Sequence, residues 1–379
     1  MGLGLTAKKK LTVLITGSDA PGFSSIVRSL LLSKKYNFRL VATDWKQNLK
    51  GKFFADKSYL LPDNQSPEFF NELFNVCKKE KVDVILPIRT DDQLPICKNL
   101  EELESIGTIP AIATPNPKIM KIANDKLKML DYLKEVANLQ TMKYKVAESK
   151  DQFENGVSEL GYPKIPVAIK PCKASGSRGF RILNSKIDRR KIFFEEKPTS
   201  VYSTKDEILS ILGETFPPML LMEYLIEPEY TIDVLCYKGK TFAICPRRRT
   251  KMTGGITTAG LIEKLPDETN KYIEKLIEAF GFSYTIGLQI RKSQDKKDLY
   301  HILEINPRLQ GTTVISVAAG VNVPELVIDM ALREFDFNFK PKIKYGLKME
   351  RTHQEFFEYQ NKIFQLKDIS KIEDENENQ

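Results

Sequence analysis

The stretch from Lys9 to Trp45 constrains the fold of this chain more than any other. It reads KKLTVLITGSDAPGFSSIVRSLLLSKKYNFRLVATDW, which predicts a buried strand (13–16), a glycine-containing turn, an amphipathic helix (24–33) and a second strand (39–43). Further strands are predicted at 82–88 and 109–114, after helical segments. Strands that alternate with helices pair in parallel, so the sequence predicts a Rossmann-like α/β domain at the N-terminus.

The turn between the first strand and the first helix lacks a dinucleotide fingerprint. Its residues run from Gly17 to Gly22 as GSDAPG, which does not match Gly-x-Gly-x-x-Gly. Two interpretations stay open: the glycines serve the turn alone, or the start of the helix binds a substrate anion. A nicotinamide-dependent oxidoreductase is disfavoured, because the chain also lacks a suitable histidine.

The composition argues against several kinds of site and partner. The five cysteines form no Cys-x-x-Cys pair and there are only two histidines, which disfavours disulfide frameworks, thiolate zinc sites and histidine-rich metal sites. The net charge of +8 is scattered among acidic neighbours, which favours a local anion site over a nucleic-acid surface. No apolar run approaches the ~18 residues of a membrane span, and no signal-peptide pattern is present. We therefore expect a cytoplasmic protein with small-molecule substrates.

A glycine-rich loop follows a predicted buried strand, VAIKP at 167–171. Lys170 lies near the end of that strand, and the loop contains Ser175, Gly176, Ser177, Arg178 and Gly179. Glycines allow successive backbone N–H groups to converge on a phosphate, and the two cationic side chains supply compensating charge. The loop is not a Walker A motif. The alternative is a hairpin turn in which the glycines are incidental.

The segment MEYLIEPEYTIDVL (222–235) predicts two strands joined by a short linker. The backbone of Glu223 and Leu225 would then be free to pair with the edge of an adenine, and Glu229 could accept hydrogen bonds from ribose hydroxyls. An ordinary edge hairpin with a surface carboxylate is the alternative.

A late predicted hairpin carries the most specific pattern in the chain. Gln289 lies in TIGLQIR, and Glu304 and Asn306 lie in ILEINPR on the next strand. Side chains two residues apart on a strand point to the same face, and together these three offer the oxygen ligands that Mg²⁺ prefers. Arg308, just beyond, would contact phosphoryl oxygens as charge builds. A structural pair of hydrogen-bonded Glu and Asn is the alternative.

The segment CPRRRTKMTGGITTAG (245–260) is the candidate substrate-binding element. Arg247 and Arg249 alternate on a predicted strand, so we expect them to share a face and to clamp a substrate carboxylate. Gly254 and Gly255 lie in the flexible loop that follows and are expected to border the same substrate. A solvent-facing basic loop or a nucleic-acid contact is the competing interpretation.

The order of these elements, beginning with Lys126 on a predicted helix (116–137), resembles the ATP-grasp superfamily over residues 10–335. It is closest in kind to the synthetase half of the carbamoyl phosphate synthetase large chain and to carboxylate–amine ligases. The resemblance implies a mixed α/β and α+β fold. Its implied parts are a Rossmann-like pre-ATP-grasp domain (1–114), a mobile small lid subdomain with a linker helix (115–222) and a C-terminal subdomain (223–369). We predict that the acidic tail at 370–379 is disordered.

The resemblance also implies a role for each matching residue. The implied ATP-binding residues are Lys126, Lys170, Ser175, Gly176, Ser177, Arg178, Gly179, Glu223, Tyr224, Leu225 and Glu229. Gln289, Glu304 and Asn306 would hold Mg²⁺, or Mn²⁺ in its place, while Lys170 and Arg308 would act in catalysis. Many family members have an acid at the position of Gln289, so two full metal sites are less assured here.

The function implied is that of an ATP-dependent ligase. It would activate a small-molecule carboxylate as an acyl phosphate, which an amine then attacks. The alternative is a catalytically silent ATP-binding protein of the same fold that regulates or scaffolds a partner. A homodimer is the assembly that the family suggests.

Overall fold

The fold was analysed in a computed structural model, which describes residues 8–172, 178–195, 200–294, 299–352, 354–359 and 362–368. Three sheets carry the architecture: a parallel sheet at the N-terminus, a small mixed sheet in the middle and a six-stranded antiparallel sheet towards the C-terminus. The predicted fold class, a Rossmann-like domain followed by an ATP-grasp-like α+β region, is confirmed. None of the helices in these residues is both long and apolar enough to span a membrane.

The N-terminal domain is a five-stranded parallel sheet of order β3-β2-β1-β4-β5. Its elements are β1 (Lys9–Thr16), α1 (Phe23–Leu31), β2 (Tyr36–Asp44), α2 (Leu49–Phe54), β3 (Lys57–Leu60), α3 (Phe69–Glu80), β4 (Val84–Pro87), α4 (Gln93–Lys98), α5 (Leu100–Ser105) and β5 (Ile109–Pro110). The strand predicted at 109–114 is shorter than expected. Pro110 has no N–H to donate, and the chain turns away after it.

Two helices, α6 (Pro117–Ala123) and α7 (Lys126–Glu135), replace the single helix predicted at 116–137. The break has a local cause, because the Asp125 side chain accepts a hydrogen bond from the Lys128 N–H and caps a new helix. Lys126 is therefore the first residue of α7 rather than a mid-helix residue.

The middle sheet has the order β6-β10-β7-β8-β9. Its elements are β6 (Tyr144–Ser149), α8 (Lys150–Glu159), β7 (Val167–Pro171), β8 (Arg181–Leu183), α9 (Arg189–Glu195), β9 (Tyr202–Ser203), α10 (Lys205–Leu212) and β10 (Thr215–Glu223). The predicted pairing of the 181–183 strand with the 167–171 strand is confirmed, since Val167 lies opposite Leu183.

The C-terminal sheet has the order β15-β14-β11-β12-β13-β16. Its elements are β11 (Ile226–Tyr237), β12 (Lys240–Thr253), β13 (Ile256–Ile262), α11 (Asp267–Phe280), β14 (Tyr284–Lys292), β15 (Tyr300–Asn306), α12 (Val314–Ala318), α13 (Val323–Ala331) and β16 (Lys348–Glu350). The register of β11 shifts between Ile226 and Glu229, which accommodates Pro228 inside the strand. The linker expected from the sequence is therefore shortened to residues 224–225.

A C-terminal strap, described at residues 351–352, 354–359 and 362–368, leaves the large sheet and packs against the N-terminal domain. Its hairpin strands are β17 (Phe357–Tyr359) and β18 (Lys362–Phe364), followed by a 3₁₀ turn (Leu366–Asp368). The Phe356 ring lies 4.2 Å from the Phe53 ring between centroids, and Lys52 pairs with Glu358 at 2.7 Å. The strap thereby ties the end of the chain to α2.

The N-terminal domain and the large sheet meet at two glycines. A Cβ built on Gly22 would lie 2.7 Å from the Cα of Gly311, whereas a Cβ built on Gly311 would lie 3.8 Å from the nearest atom, the Gly22 nitrogen. The turn before α1 therefore approaches the turn after β15 more closely than any side chain at position 22 would permit.

This asymmetry predicts different effects of two glycine-to-alanine changes. We expect Gly22→Ala to lower the free energy of unfolding by about 1–3 kcal/mol relative to Gly311→Ala, because backbone must shift to admit the methyl group. Both changes reduce the conformational freedom of the unfolded chain similarly. The difference between their free energies of unfolding therefore reports the steric clash of the methyl group added at position 22 alone. Chemical denaturation of both variants measures it, and equal stability would contradict the close contact.

Candidate active site

A cavity of about 730 Å³ lies between the N-terminal domain and the large sheet. Its wall includes Gly22 and Arg89–Asp91 from the N-terminal domain, Lys126 from α7, and Arg249, Gly255, Gln289, Glu304, Asn306 and Arg308 from the large sheet and the turn after it. Seven sequence-predicted site residues therefore line one cavity. They come from segments that are far apart in the chain.

The register of the β14–β15 hairpin brings the predicted oxygen donors together. Gln289 lies directly opposite Glu304, and Gly287 lies opposite Asn306. A Cβ at Gly287 would lie 2.2 Å from side-chain atoms of Gln310, so the glycine makes room for that side chain. Gln310 in turn donates to the Ile232 carbonyl at 3.0 Å. The turn after β15 is thus held against the sheet, with Glu304 and Asn306 on its cavity side.

Hydrogen bonds link the hairpin residues into one cluster. The Lys126 ammonium donates to Glu304, and the Asn306 amide donates to the other Glu304 oxygen at 2.8 Å. Arg308 donates to Asn306 Oδ1 at 3.1 Å and, through Nε, to Thr90 Oγ1 at 2.9 Å. Thr90 belongs to the N-terminal domain, so this cluster also joins the two halves of the cavity.

The electrostatics of the cluster favour an ionised carboxylate. Burial by itself would raise the pKa of Glu304, but the Lys126 charge, the hydrogen bonds from Lys126 and Asn306, and the Lys170 charge together lower it to about 2. Lys170 is 5% exposed. Burial, and then the charge of Lys126, lower the pKa of Lys170 to about 8, against the opposing effect of Glu304. Two lysines therefore face one carboxylate.

The expected contact of Lys170 with nucleotide phosphates and its lowered pKa together predict how nucleotide affinity depends on pH. A bound triphosphate would raise this pKa again, so above pH ~8 binding must be accompanied by proton uptake at Lys170. We expect the affinity for the ATP analogue AMP-PNP to fall between about pH 8 and 9. Calorimetry in buffers of different ionisation enthalpy measures both the proton uptake and the affinity.

The control for this pH dependence is Lys170→Arg, whose side chain stays protonated. This variant should show neither the proton uptake nor the fall in affinity. A wild-type affinity that is constant over the same pH range would contradict the assignment of Lys170 to the phosphates.

The predicted nucleotide residues outside the cavity wall have partners of their own. The Leu225 carbonyl accepts from Arg291 at 3.1 Å, and the Glu223 carboxylate accepts from the Lys143 N–H at 3.1 Å. Glu229 forms ion pairs with Arg249 and, at 3.0 Å, with Arg291. Tyr224 contributes its carbonyl as the acceptor of a hydrogen bond from Gln294 at 2.6 Å.

Only part of the glycine loop can be placed. Ser175, Gly176 and Ser177 lie outside the described residues, so their predicted contact with phosphate stays a prediction. Arg178 and Gly179 are exposed. Gly179 has a φ of +67°, and a Cβ there would lie 2.6 Å from the Pro171 ring, so a glycine is required at this turn.

The predicted pairing of Arg247 with Arg249 as a substrate clamp is wrong for Arg247. This side chain is 1% exposed, and its guanidinium donates to both Asp233 oxygens, at 2.8 and 3.2 Å, and to Thr312. A guanidinium whose fork is already occupied by a buried carboxylate cannot bind a substrate acid. Arg249 does line the cavity, where it bridges Glu229 and the Gly255 carbonyl. Gly254 and Gly255 form the tip of the β12–β13 hairpin, both with positive φ.

The buried pair predicts that Arg247 acts on stability. Arg247→Gln should lower the free energy of unfolding by about 3–5 kcal/mol, because it leaves the Asp233 carboxylate buried without its counter-charge. Arg248→Gln is the control, since Arg248 is partly exposed and pairs with Glu263 at the surface. Denaturant titration measures the free energy of unfolding of both variants. Equal values would contradict a structural role for Arg247.

Several features in and beside the cavity were not predicted from the sequence. Thr90 holds Arg308, and Asp233 holds Arg247. Arg351, which also lines the cavity, follows a short strand in a segment without any motif. An aspartate inside the apolar run TIDVLCY was the one available signal for Asp233, because a buried acid requires donors nearby.

Two family models match the chain. The model described as "ATP-grasp in the biosynthetic pathway with Ter operon" matches residues 215–355, and "PylC-like, N-terminal domain" matches residues 24–111. A formate-dependent phosphoribosylglycinamide formyltransferase of Prochlorococcus marinus is 25% identical over 176 residues, which is 46% of this chain and 41% of that protein. The chain thus aligns with about two fifths of the length of this curated relative.

Solved structures extend the likeness over most of the chain. An N5-carboxyaminoimidazole ribonucleotide synthetase solved with ADP has a TM-score of 0.63 at 13% identity and covers 90% of this chain and 81% of its own. The biotin carboxylase domain of a Hydrogenobacter thermophilus 2-oxoglutarate carboxylase, solved with magnesium ADP, has a TM-score of 0.64 at 15% identity, covering 89% and 73%. The resemblance to the ATP-grasp superfamily is therefore confirmed, the chain has the fold of these solved structures, and residues 24–111 are similar to the PylC-like N-terminal domain.

Proposed function

We propose that this protein is an ATP-dependent ligase that joins a carboxylate to an amine. The observation that carries the proposal is the cluster of Lys126, Glu304, Asn306 and Arg308, which faces a cavity large enough for a second substrate beside a phosphate chain. The carboxylate, the amide and the two cations of this cluster, with Gln289 opposite Glu304 and Lys170 nearby, suit phosphoryl transfer, which depends mainly on positioning and charge stabilisation.

The ATP would lie across the middle and large sheets. Lys126 and Lys170 would neutralise the phosphates, with the 174–179 loop closing over them as part of a lid formed by the middle sheet. The backbone of 223–225 would take the adenine edge. Glu229 would accept from the ribose hydroxyls, in competition with its present arginine partners.

The donor set on the late hairpin fits a magnesium ion. Glu304, Asn306 and Gln289 place carboxylate and amide oxygens at neighbouring positions on one side of the sheet. Mg²⁺ takes oxygen ligands and completes its shell with water and phosphate oxygens. When bound, the ion would supply positive charge next to the phosphates. Because Glu304 is ionised over the whole neutral range, it needs no proton loss before it can act as a ligand.

The remaining chemistry belongs to the side chains and the substrates. A carboxylate is a poor electrophile, so transfer of the γ-phosphoryl group from ATP would convert it into an acyl phosphate. Attack by an amine then forms the C–N bond and releases phosphate. Arg308 would stabilise negative charge on the transferring group, and the lid would exclude water that would otherwise hydrolyse the acyl phosphate. No side-chain nucleophile is required.

The tip of the β12–β13 hairpin would border the second substrate. Gly254 and Gly255 both adopt positive φ, and Arg249 anchors the Gly255 carbonyl at 2.9 Å. Arg249 would therefore set the position of the loop next to the substrate as well as face it. The homodimer suggested by the family is part of the same proposal.

The test of this function is ADP release from a panel of carboxylates crossed with amines. We expect wild-type turnover for at least one pair, and loss of about a thousandfold or more in kcat for Glu304→Gln, because the divalent ion at the phosphates would lose its one ionised ligand. The folded state of that variant, checked by circular dichroism, should survive. Glu274→Gln, on the outer face of α11, is the control for a lost carboxylate.

A silent ATP-binding protein would give a different result. AMP-PNP would bind to the wild type, yet no pair in the panel would release ADP. Full activity of Glu304→Gln would instead contradict the role assigned to this carboxylate.

A further inference from the structure

Arg351 is a cation in the cavity wall that the proposed function leaves unused. It directly follows β16, and its guanidinium donates to the Gly311 carbonyl. Within the described part of the chain it forms no ion pair with a carboxylate. A guanidinium that lines a cavity without a counter-charge is a ready binding group for an anion.

The surroundings of Arg351 make its charge unfavourable without a ligand. Burial, and then the positive charge of Arg247, lower the pKa of Arg351. Arg247 is already neutralised by Asp233 and contacts Thr312, the neighbour of Gly311. An arginine stays protonated throughout the physiological range, so proton loss cannot relieve this cost. An arriving anion would relieve it.

The other arginines in the cavity wall do not share this property. Their partners are Asp44 for Arg89, Glu229 for Arg249, and Asn306 with Thr90 for Arg308. Two of these three are thus neutralised, and the third belongs to the phosphoryl-transfer cluster. Arg351 is the remaining arginine among the described residues of the wall, and it lies at the Gly311 turn rather than at that cluster.

The chain holds Arg351 in place from both sides. Before it, β16 pairs with β13, and the Arg351 N–H donates to the Thr258 carbonyl at 2.8 Å. After it, the strap packs Phe356 against Phe53 of the N-terminal domain. The backbone of Arg351 is therefore held by a paired strand, and its guanidinium is held by the Gly311 carbonyl.

We propose that Arg351 binds a second anionic group of the substrates, a carboxylate or a phosphate monoester, distinct from the carboxylate that is phosphorylated. This inference rests on the proposed function, since it takes the cavity as the place where the substrates meet. The guanidinium fork matches two oxygens of either anion. The substrates would thus include an amino acid, a dicarboxylate or a phosphorylated amine, and a neutral amine paired with a simple monocarboxylate would be a poor combination.

The first experiment compares substrates that differ only in one anionic group. ADP release is measured with alanine against alaninamide and phosphoethanolamine against ethanolamine as the amines, and with succinate against succinamate as the acids, each with a range of co-substrates. We expect turnover only with the anionic member of a pair. The pair that responds separates a carboxylate from a phosphate as the natural group. Equal turnover with both members of every active pair would overturn the proposal.

Variants then connect that preference to Arg351. Arg351→Gln should raise KM for the anionic member about tenfold or more, the expected loss for one charge-assisted hydrogen bond, with Kd for AMP-PNP unchanged. Arg351→Lys should recover part of the loss, because it keeps the charge without the fork. Lys348→Gln, which removes an exposed cation from the strand that precedes Arg351, is the matched control. An unchanged KM in Arg351→Gln would overturn the proposal.

A binding experiment tests the site without turnover. Inorganic phosphate and succinate are titrated in the presence of saturating magnesium AMP-PNP, and the midpoint of thermal unfolding is followed. At least one probe should raise the midpoint for the wild type and Lys348→Gln but not for Arg351→Gln. No response of the wild type to either probe would contradict the site. Failure of AMP-PNP to bind would instead contradict the proposed function, and the two probes would still report on Arg351.

Discussion

The buried ion pair between Asp233 and Arg247 is the interaction on which the site depends. Both side chains are 1% exposed, and the Asp233 carboxylate accepts from Arg247, Thr313 and Ser316 through its two oxygens. A buried carboxylate is tolerated only when its lone pairs are filled in this way. Since the pair lies on β11 and β12 and the two hydroxyls lie beyond β15, the interaction fixes the turn that carries the catalytic candidates to the centre of the sheet.

That fixed turn explains how distant parts of the chain form one cavity. It presents Arg308 to Thr90 of the N-terminal domain and brings Gly311 against Gly22. Lys126 comes from another part of the chain. It is the first residue of α7, because the Asp125 side chain caps a new helix there. The resulting site has more positive than negative charge near Glu304. A bound polyphosphate would neutralise this excess positive charge, which agrees with an ATP-grasp fold.

The sequence could reveal only those parts of the site that depend on local periodicity. Glu304 and Asn306 were recognisable because two residues along a strand return to the same face. Arg247 was misinterpreted for the same reason: alternation correctly describes its own strand, but its partner lies on the neighbouring strand, and the pairing depends on a register that no local pattern encodes. The cavity position of Arg351 likewise arises from strand addition at the sheet edge, which becomes visible only once the chain is folded. The helix break before Lys126 differs, because its cause, the Asp125 cap, is local and was overlooked in the sequence.

The central claim is that the oxygens of the β14–β15 hairpin gather a divalent ion at the phosphate end of a bound nucleotide. A crystal structure with AMP-PNP and Mn²⁺, analysed by the anomalous signal of manganese, tests it most directly. The account predicts a manganese peak coordinated by Glu304, with the triphosphate between Lys126 and Lys170. A well-ordered nucleotide whose manganese lies away from Glu304, or whose phosphates lie outside the cavity, would contradict it.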